Sequence, residues 1–186
     1  MMEGYVKNAA FDDFVKSQQS PPEPEVDWKQ VRNEWLRRLD ELYKQVEGFL
    51  SNYIASGQIV VESHPIDLTE ENLGTYKARK LVLRIGRSAV TLMPVGTLLI
   101  GSRGRVDVIG PRGTTVPILL INSKARQVSD MVRVQVSIGR KLPDVPKEKP
   151  GEITWEWKMV TRPPERRFIE LTQESFFGMI MEVANG

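Results

Sequence analysis

The sequence predicts an α+β fold: a long N-terminal amphipathic helix, an antiparallel β meander or partly open barrel of about seven or eight strands, and a short C-terminal helix. Three observations predict it. Apolar residues recur at three- and four-residue steps from Trp28 to Tyr53, short β-branched runs broken by glycine and proline follow from residue 58, and a second helical run closes the chain after Thr172.

The first helix is expected over residues 27–56. Asp27 stands at the N-cap, with Gln30 three residues later as in a capping box. Trp28, Val31, Trp35, Leu39, Leu42, Val46, Phe49 and Tyr53 form one stripe, while charged residues such as Lys29, Glu34, Arg37 and Arg38 occupy the other faces. Ser56-Gly57 supplies the stop. The stripe has two uses open to it. It can pack on the chain's own sheet, or Trp35, Leu39, Leu42 and Val46 can meet a second helix, since three-four spacing over this length sustains a coiled coil. The second use makes a homodimer or another protein partner the expected company.

Strands are expected at 58–62, 76–85, 89–93, 97–100, 106–109, 116–121, 131–138 and 153–160, with a last short one in RFIEL. MVRVQVSI and ITWEWKMV each alternate an apolar with a polar face, as antiparallel strands do when one side of the sheet is covered. His64-Pro65 reads as a strand end, and IDLTEEN as a solvated turn in which Asp67 and Thr69 bond local backbone. LPDVPKEKPGE is a proline-rich loop. Residues 1–25, ending in SQQSPPEPEV, read as a flexible arm. That leaves 26–186 as one domain, with its β region at 58–171 and its terminal helix at 173–184. Thr172 caps this helix, Leu171 and Phe176 form a hydrophobic staple across the cap, and Phe176, Phe177, Ile180, Met181 and Val183 are the residues it presents.

Composition narrows the chemistry. Without cysteine there is neither disulfide nor thiolate metal site, which fits a reducing cytoplasm. MMEGYVKNAAFDDFVKSQQ lacks the apolar core of a secretory signal. The most apolar stretch, LVLRIGRSAVTLMPVGTLLIG, is interrupted by Arg84, Arg87 and Pro94, so no membrane association is expected. His64 is the only histidine; a triad of His64 and Asp67 with Ser63 or Ser88 is formally available, but the polar setting reads as surface. No cofactor is expected.

The net charge of +2 hides a regional imbalance. Residues 76–141 hold thirteen Lys/Arg against two acids, residues 1–75 seven bases against fourteen acids, and residues 142–186 six against eight. A basic middle between acidic flanks marks a footprint for a polyanion, or a domain whose own parts attract one another. Within that middle, GSRGRVDVIGPRG reads as strand between two turns. It fits neither a GxxxxGK[ST] loop nor a GxGxxG loop opening a helix. Its arginines suit phosphate oxygens. The candidate polyanion-binding residues are Arg103, Arg105, Arg112, Lys124 and Arg126. Aromatic residues are scarce among these bases, so the stacking platform of a single-strand reader is missing.

The expected function is a non-enzymatic binding or assembly module, engaging nucleic acid or another polyanion through residues 76–141. The alternative is phosphodiester chemistry. Asp107 followed by Asn122-Ser123-Lys124 locally resembles metal-dependent nucleases of the restriction-enzyme type, which place an aspartate on one strand and Glu-x-Lys on the next. Here asparagine stands where the second carboxylate belongs, which removes charge from the metal site. On this reading Asp107 and Lys124 are the catalytic pair, or mark an inactive relative that still binds nucleic acid.

Overall fold

A computed structural model describes residues 26–97, 102–125, 154–161 and 166–186. Among these, three helices, α1 (Trp28–Phe49), α2 (Ser51–Ala55) and α3 (Gln173–Asn185), accompany seven strands. The strands are β1 (Ile59–Glu70), β2 (Gly74–Ile85), β3 (Ser88–Gly96), β4 (Arg105–Ile109), β5 (Thr115–Asn122), β6 (Trp155–Val160) and β7 (Phe168–Glu170). They form one open sheet in sequence order, each neighbouring pair antiparallel. The expected α+β architecture is the observed one. The arm at 1–25, the strand at 131–138, most of that at 97–100 and the proline-rich loop lie outside the described residues. No described helix is long and apolar enough to cross a membrane.

α1 starts at Asp27, whose Oδ1 accepts from the backbone N–H of Lys29 and Gln30 at 3.0 and 3.1 Å. This satisfies two of the donors that a helix start leaves open. The helix is interrupted at Leu50, a buried residue, and resumes for one short turn as α2 before Gly57 takes a positive φ. The apolar stripe goes into the chain's own sheet. Trp35, Leu39, Leu42 and Val46 are at most 2% exposed, and each such burial contributes roughly 2 kcal/mol. The four residues are therefore core, and the expected seam for a partner helix is already filled from within. The stripe is narrower than its sequence extent: Trp28 and Tyr53, at its ends, are exposed, while Tyr43 and Leu50 are buried in their place.

One face of the sheet receives both helices. Cross-strand pairs line it in rows, Leu83 against Val90, Leu81 against Leu92, Leu92 against Val108, Val106 against Ile118 and Ile118 against Met159. All belong to the same buried cluster as the α1 stripe. α3 adds Phe176, Met179, Ile180 and Val183. Met181, expected to face inward, is instead 61% exposed, because the buried arc passes through Met179. The expected cap is present: Thr172 Oγ1 accepts from Ser175 N at 3.2 Å and Ser175 Oγ from Thr172 N at 2.9 Å, with Leu171 and Phe176 both buried.

β1 corrects the reading of residues 63–70. The strand does not end near Glu62 but continues through His64-Pro65 to Glu70, paired with β2 in one register from Ile59↔Ile85 to Glu70↔Gly74. Pro65 is tolerated because β1 is the sheet edge, where its nitrogen can face away from the partner. Polar cross-strand contacts hold the outer part of this hairpin: Lys77 Nζ to Asp67 at 2.8 Å, and Thr69 Oγ1 to Thr75 Oγ1 at 2.9 Å. Asp67 and Thr69 thus bond across the ladder and not to a local turn. The buried parity of β2 also changes, from Tyr76 and Ala78 to Leu81 and Leu83. The ladder with β1 contains no inserted residue there; the change falls where β3 ceases to pair.

The GPRG turn has a structural task at the far end of the sheet. α3 ends directly on Gly110, where a Cβ would lie 1.7 Å from the Val183 carbonyl oxygen. Arg112 Nη1 donates to the Asn185 carbonyl at 3.2 Å, placing a cation at the negative end of the helix. Gly110→Ala is expected to cost about 2 kcal/mol through forced displacement of the α3 terminus. An unchanged urea midpoint, with unchanged slope, would remove this contact from the list of constraints.

Candidate functional site

Consecutive turns of a meander lie at opposite ends of the sheet. Arg103 precedes β4 and Arg112 follows it, so the five residues of that strand, about 17 Å at strand rise, keep them apart. The arginines expected to form one patch also have separate employments. Arg105 and Asp107 share a face of β4, and the guanidinium grips the carboxylate twice, Nε to Oδ1 at 2.7 Å and Nη2 to Oδ2 at 3.0 Å. Arg112 is held by the α3 terminus. Lys77, Arg79 and Arg84 meet Asp67, Asp40 and Glu62. Three of the bases in the basic middle are thus paired with the chain's own acidic flank. Arg126 lies outside the described residues.

Asp107 and Lys124 are not brought together. Asp107 is opposite Pro117, and Lys124 is seven residues beyond Pro117, about 20 Å along an extended chain. Lys124 sits in a pinned turn after β5: its N–H donates to Asn122 Oδ1 at 2.9 Å, and the buried Lys158 donates Nζ to the Ser123 carbonyl at 2.8 Å. His64 is exposed and lies 3.1 Å from Glu62 Oε2 through Nε2. Among the described residues, no group of three or more His, Cys, Asp or Glu side chains is placed to hold a metal ion.

What the structure does assemble, at the Arg103 end, is a cleft of about 450 Å³ between the first turns of α1 and the sheet. Val31, Trp35 and Leu120 supply apolar wall; Thr97, Ser102 and Arg103 supply polar groups. Gly104 lets the wall form, since a Cβ there would fall 2.2 Å from the Trp35 ring. The Arg103 guanidinium carbon stands 4.3 Å from the Trp155 ring centroid, a cation–π geometry. Ser102 is 9% exposed, and its hydroxyl is buried without a hydrogen-bond partner. Neither Trp155 nor Ser102 was singled out as a site residue by sequence reasoning, because only the register of β6 brings Trp155 beside Asn122 and so to this end.

Two electrostatic arrangements border the cleft. On α1, Glu34 accepts from Arg37 Nη2 at 2.6 Å and from Arg38 Nε at 2.9 Å. The Arg37 hydrogen bond, joined by Arg38, lowers the Glu34 pKa from 4.5 to about 2 against a smaller desolvation effect. Deeper in, the Glu70 carboxylate accepts from the Tyr76 hydroxyl and from both N–H and Oγ1 of Thr97, each at 2.8 Å in the latter case. Burial, reinforced by Glu70, pushes the Tyr76 pKa up and keeps the phenol protonated as a donor. Trp35, whose Nε1 makes no well-formed hydrogen bond, eases that shift from beside the same hydroxyl.

Comparison with known protein families, with curated proteins and with solved structures finds no match to this chain.

The Glu34 cluster yields a pH prediction. A carboxylate with a depressed folded-state pKa stabilises fully above its unfolded value, here near 4.5, and loses that contribution as pH falls through about 2. Glu34 is 40% exposed, so screening holds the effect below about 1 kcal/mol. Glu34→Gln is expected to lower the denaturant midpoint at neutral pH, with the gap to the parent closing between pH 4.5 and 2. A gap that persists at pH 2 would place its origin elsewhere.

Proposed function

We propose that this chain is a non-enzymatic binding module that holds an anionic partner through Arg103 at the mouth of the cleft. One observation carries the reading: among the described residues, no carboxylate or carbonyl engages the Arg103 guanidinium, which rests on Trp155. Stacking on an indole fixes the guanidinium plane while leaving its edge donors free, and that edge matches the paired oxygens of a carboxylate or phosphate. By contrast Arg37, Arg38, Arg79, Arg84 and Arg105 all spend their donors on carboxylates of this chain. Lys124 adds positive charge at the same end of the sheet.

The reading favours contact with a few anionic groups over a long phosphate track, because Lys77, Arg79, Arg84 and Arg105 are already paired. Cleavage of phosphodiesters through Asp107 and Lys124 draws no support from a pair so far apart, with its carboxylate gripped by Arg105.

Titration of the full chain with a single-stranded oligonucleotide and with an acidic peptide, across a salt series, tests the proposal. Arg103→Ala is expected to weaken binding by about tenfold and to reduce the salt slope by about one, with Trp155→Ala acting in the same direction. Equal affinity of parent and Arg103→Ala, in a variant that keeps its fold, would overturn it.

A further inference from the structure

We infer that the cleft takes a small carboxylic acid, its apolar body resting on Val26 and Val31 above the nearly buried edges of Trp35 and Leu120, and its carboxylate held by Arg103 and the Ser102 hydroxyl. The inference rests on the reading of Arg103 given above and narrows it to a ligand class.

Three observations lead there. The volume of about 450 Å³ falls in the range of small-molecule sites, and its Val26 and Val31 surface, floored by the edges of the buried Trp35 and Leu120, suits an apolar body. Ser102 supplies a second polar contact. Its hydroxyl is buried without a partner, a condition that costs stability in the free protein and that a ligand oxygen would relieve. Serine side chains move readily between staggered rotamers, so the hydroxyl can meet an acceptor arriving at the cleft floor.

Charge selects the kind of anion. Asp27 and Glu34 line the same cleft as Arg38 and Arg103. Arg38 is committed to Glu34 and Glu41, and Asp27 to the α1 N-terminus. The arriving group therefore finds one uncommitted guanidinium with acids close by. A single carboxylate fits that balance. A phosphate dianion or a run of phosphates would bring excess negative charge toward Asp27 and Glu34.

The test is calorimetry and tryptophan fluorescence on the full chain with octanoate and 3-phenylpropanoate, compared at constant ionic strength with octanol, 3-phenylpropanol and octyl phosphate. Both acids are expected to bind, the alcohols at least about tenfold more weakly, since they lack the charge for Arg103. Ser102→Ala is expected to weaken the acids about fivefold while raising the thermal midpoint, because it deletes an unsatisfied buried group. A purely structural serine would lower the midpoint and leave affinity unchanged, and that result overturns the inference. So does preference for octyl phosphate, equal binding of acid and alcohol, or no binding of either acid. If the acids fail while the oligonucleotide or acidic peptide still depends on Arg103, this inference falls and the broader reading stands. If Arg103→Ala changes none of these, both fall.

Discussion

The packing of Trp35 onto the bare backbone at Gly104 governs where α1 crosses the sheet, and much of the remaining architecture depends on that crossing. The indole also meets Trp157, with ring centroids 6.1 Å apart. Dispersion and burial of this kind are strong but weakly directional. Direction comes from side chains that reach backbone carbonyls on both sides of the interface. Trp157 Nε1 donates to the Arg38 carbonyl at 3.2 Å, Tyr43 Oη to that of Arg79 at 2.6 Å, and Gln45 Nε2 to that of Leu171 at 3.1 Å. Gln173 Nε2 completes the series on the Phe49 carbonyl at 2.9 Å. These contacts fix the helix in both rotation and translation, so the one-sided stripe of α1 has one seat. The cleft lies beside that seat, where the opening turns of the helix meet the strand ends that carry Ser102, Arg103 and Trp155.

The same topology explains why charge along the chain is a poor map of charge in space. A meander returns every second turn to the same end, so Arg103 and Lys124 become neighbours of one end while Arg112 goes to the other. Alternation within a strand then decides pairing. Arg105 and Asp107, two residues apart, share a face and neutralise one another. Across β1 and β2 the acidic flank meets the basic middle directly, as in Asp67 with Lys77 and Glu62 with Arg84. Part of the regional imbalance in sequence is thus taken up by internal electrostatics of the sheet and its first helix.

Periodicity made the fold legible where one side chain face was consistently dry. The α1 stripe and the Thr172 cap could be read because each is a local pattern with a local physical cause, whereas the alternation expected of β6 fails at Lys158, which is buried together with Met159 and Val160 and donates to the Ser123 carbonyl. β1 was cut short because its outer half alternates weakly and contains a proline, and its pairing rests on polar partners such as Lys77 and Thr75 that lie across the hairpin. The site was less legible for a related reason. Arg103 stood out by composition, but its partner Trp155 is more than fifty positions away, and Ser102 became notable only through burial without a hydrogen bond. Neither property is written in spacing. Trp35, for which periodicity left both the chain's own sheet and a partner helix open, lies in the core and reaches the edge of the cleft.

The cleft has a firm side and an open side, and the difference lies in hydrogen bonding. On the firm side, Glu70 at the tip of the long hairpin ties itself to Thr97 at the end of β3 and to Tyr76 on β2. Gly96 is bound into this arrangement: it has φ +143°, and a Cβ would approach the Glu70 carboxyl carbon to 2.8 Å. Thr97 itself lines the cleft, so a buried and satisfied network braces that wall. On the open side, Ser102 and Arg103 retain hydrogen-bonding capacity that no described residue uses. Folding alone favours filling such capacity, because an unsatisfied buried group is costly. Among the described residues, the fold satisfies Glu70 within this small region yet leaves the Ser102 hydroxyl buried without a partner and the Arg103 guanidinium without a carboxylate, so unused polarity gathers along one side of the cleft.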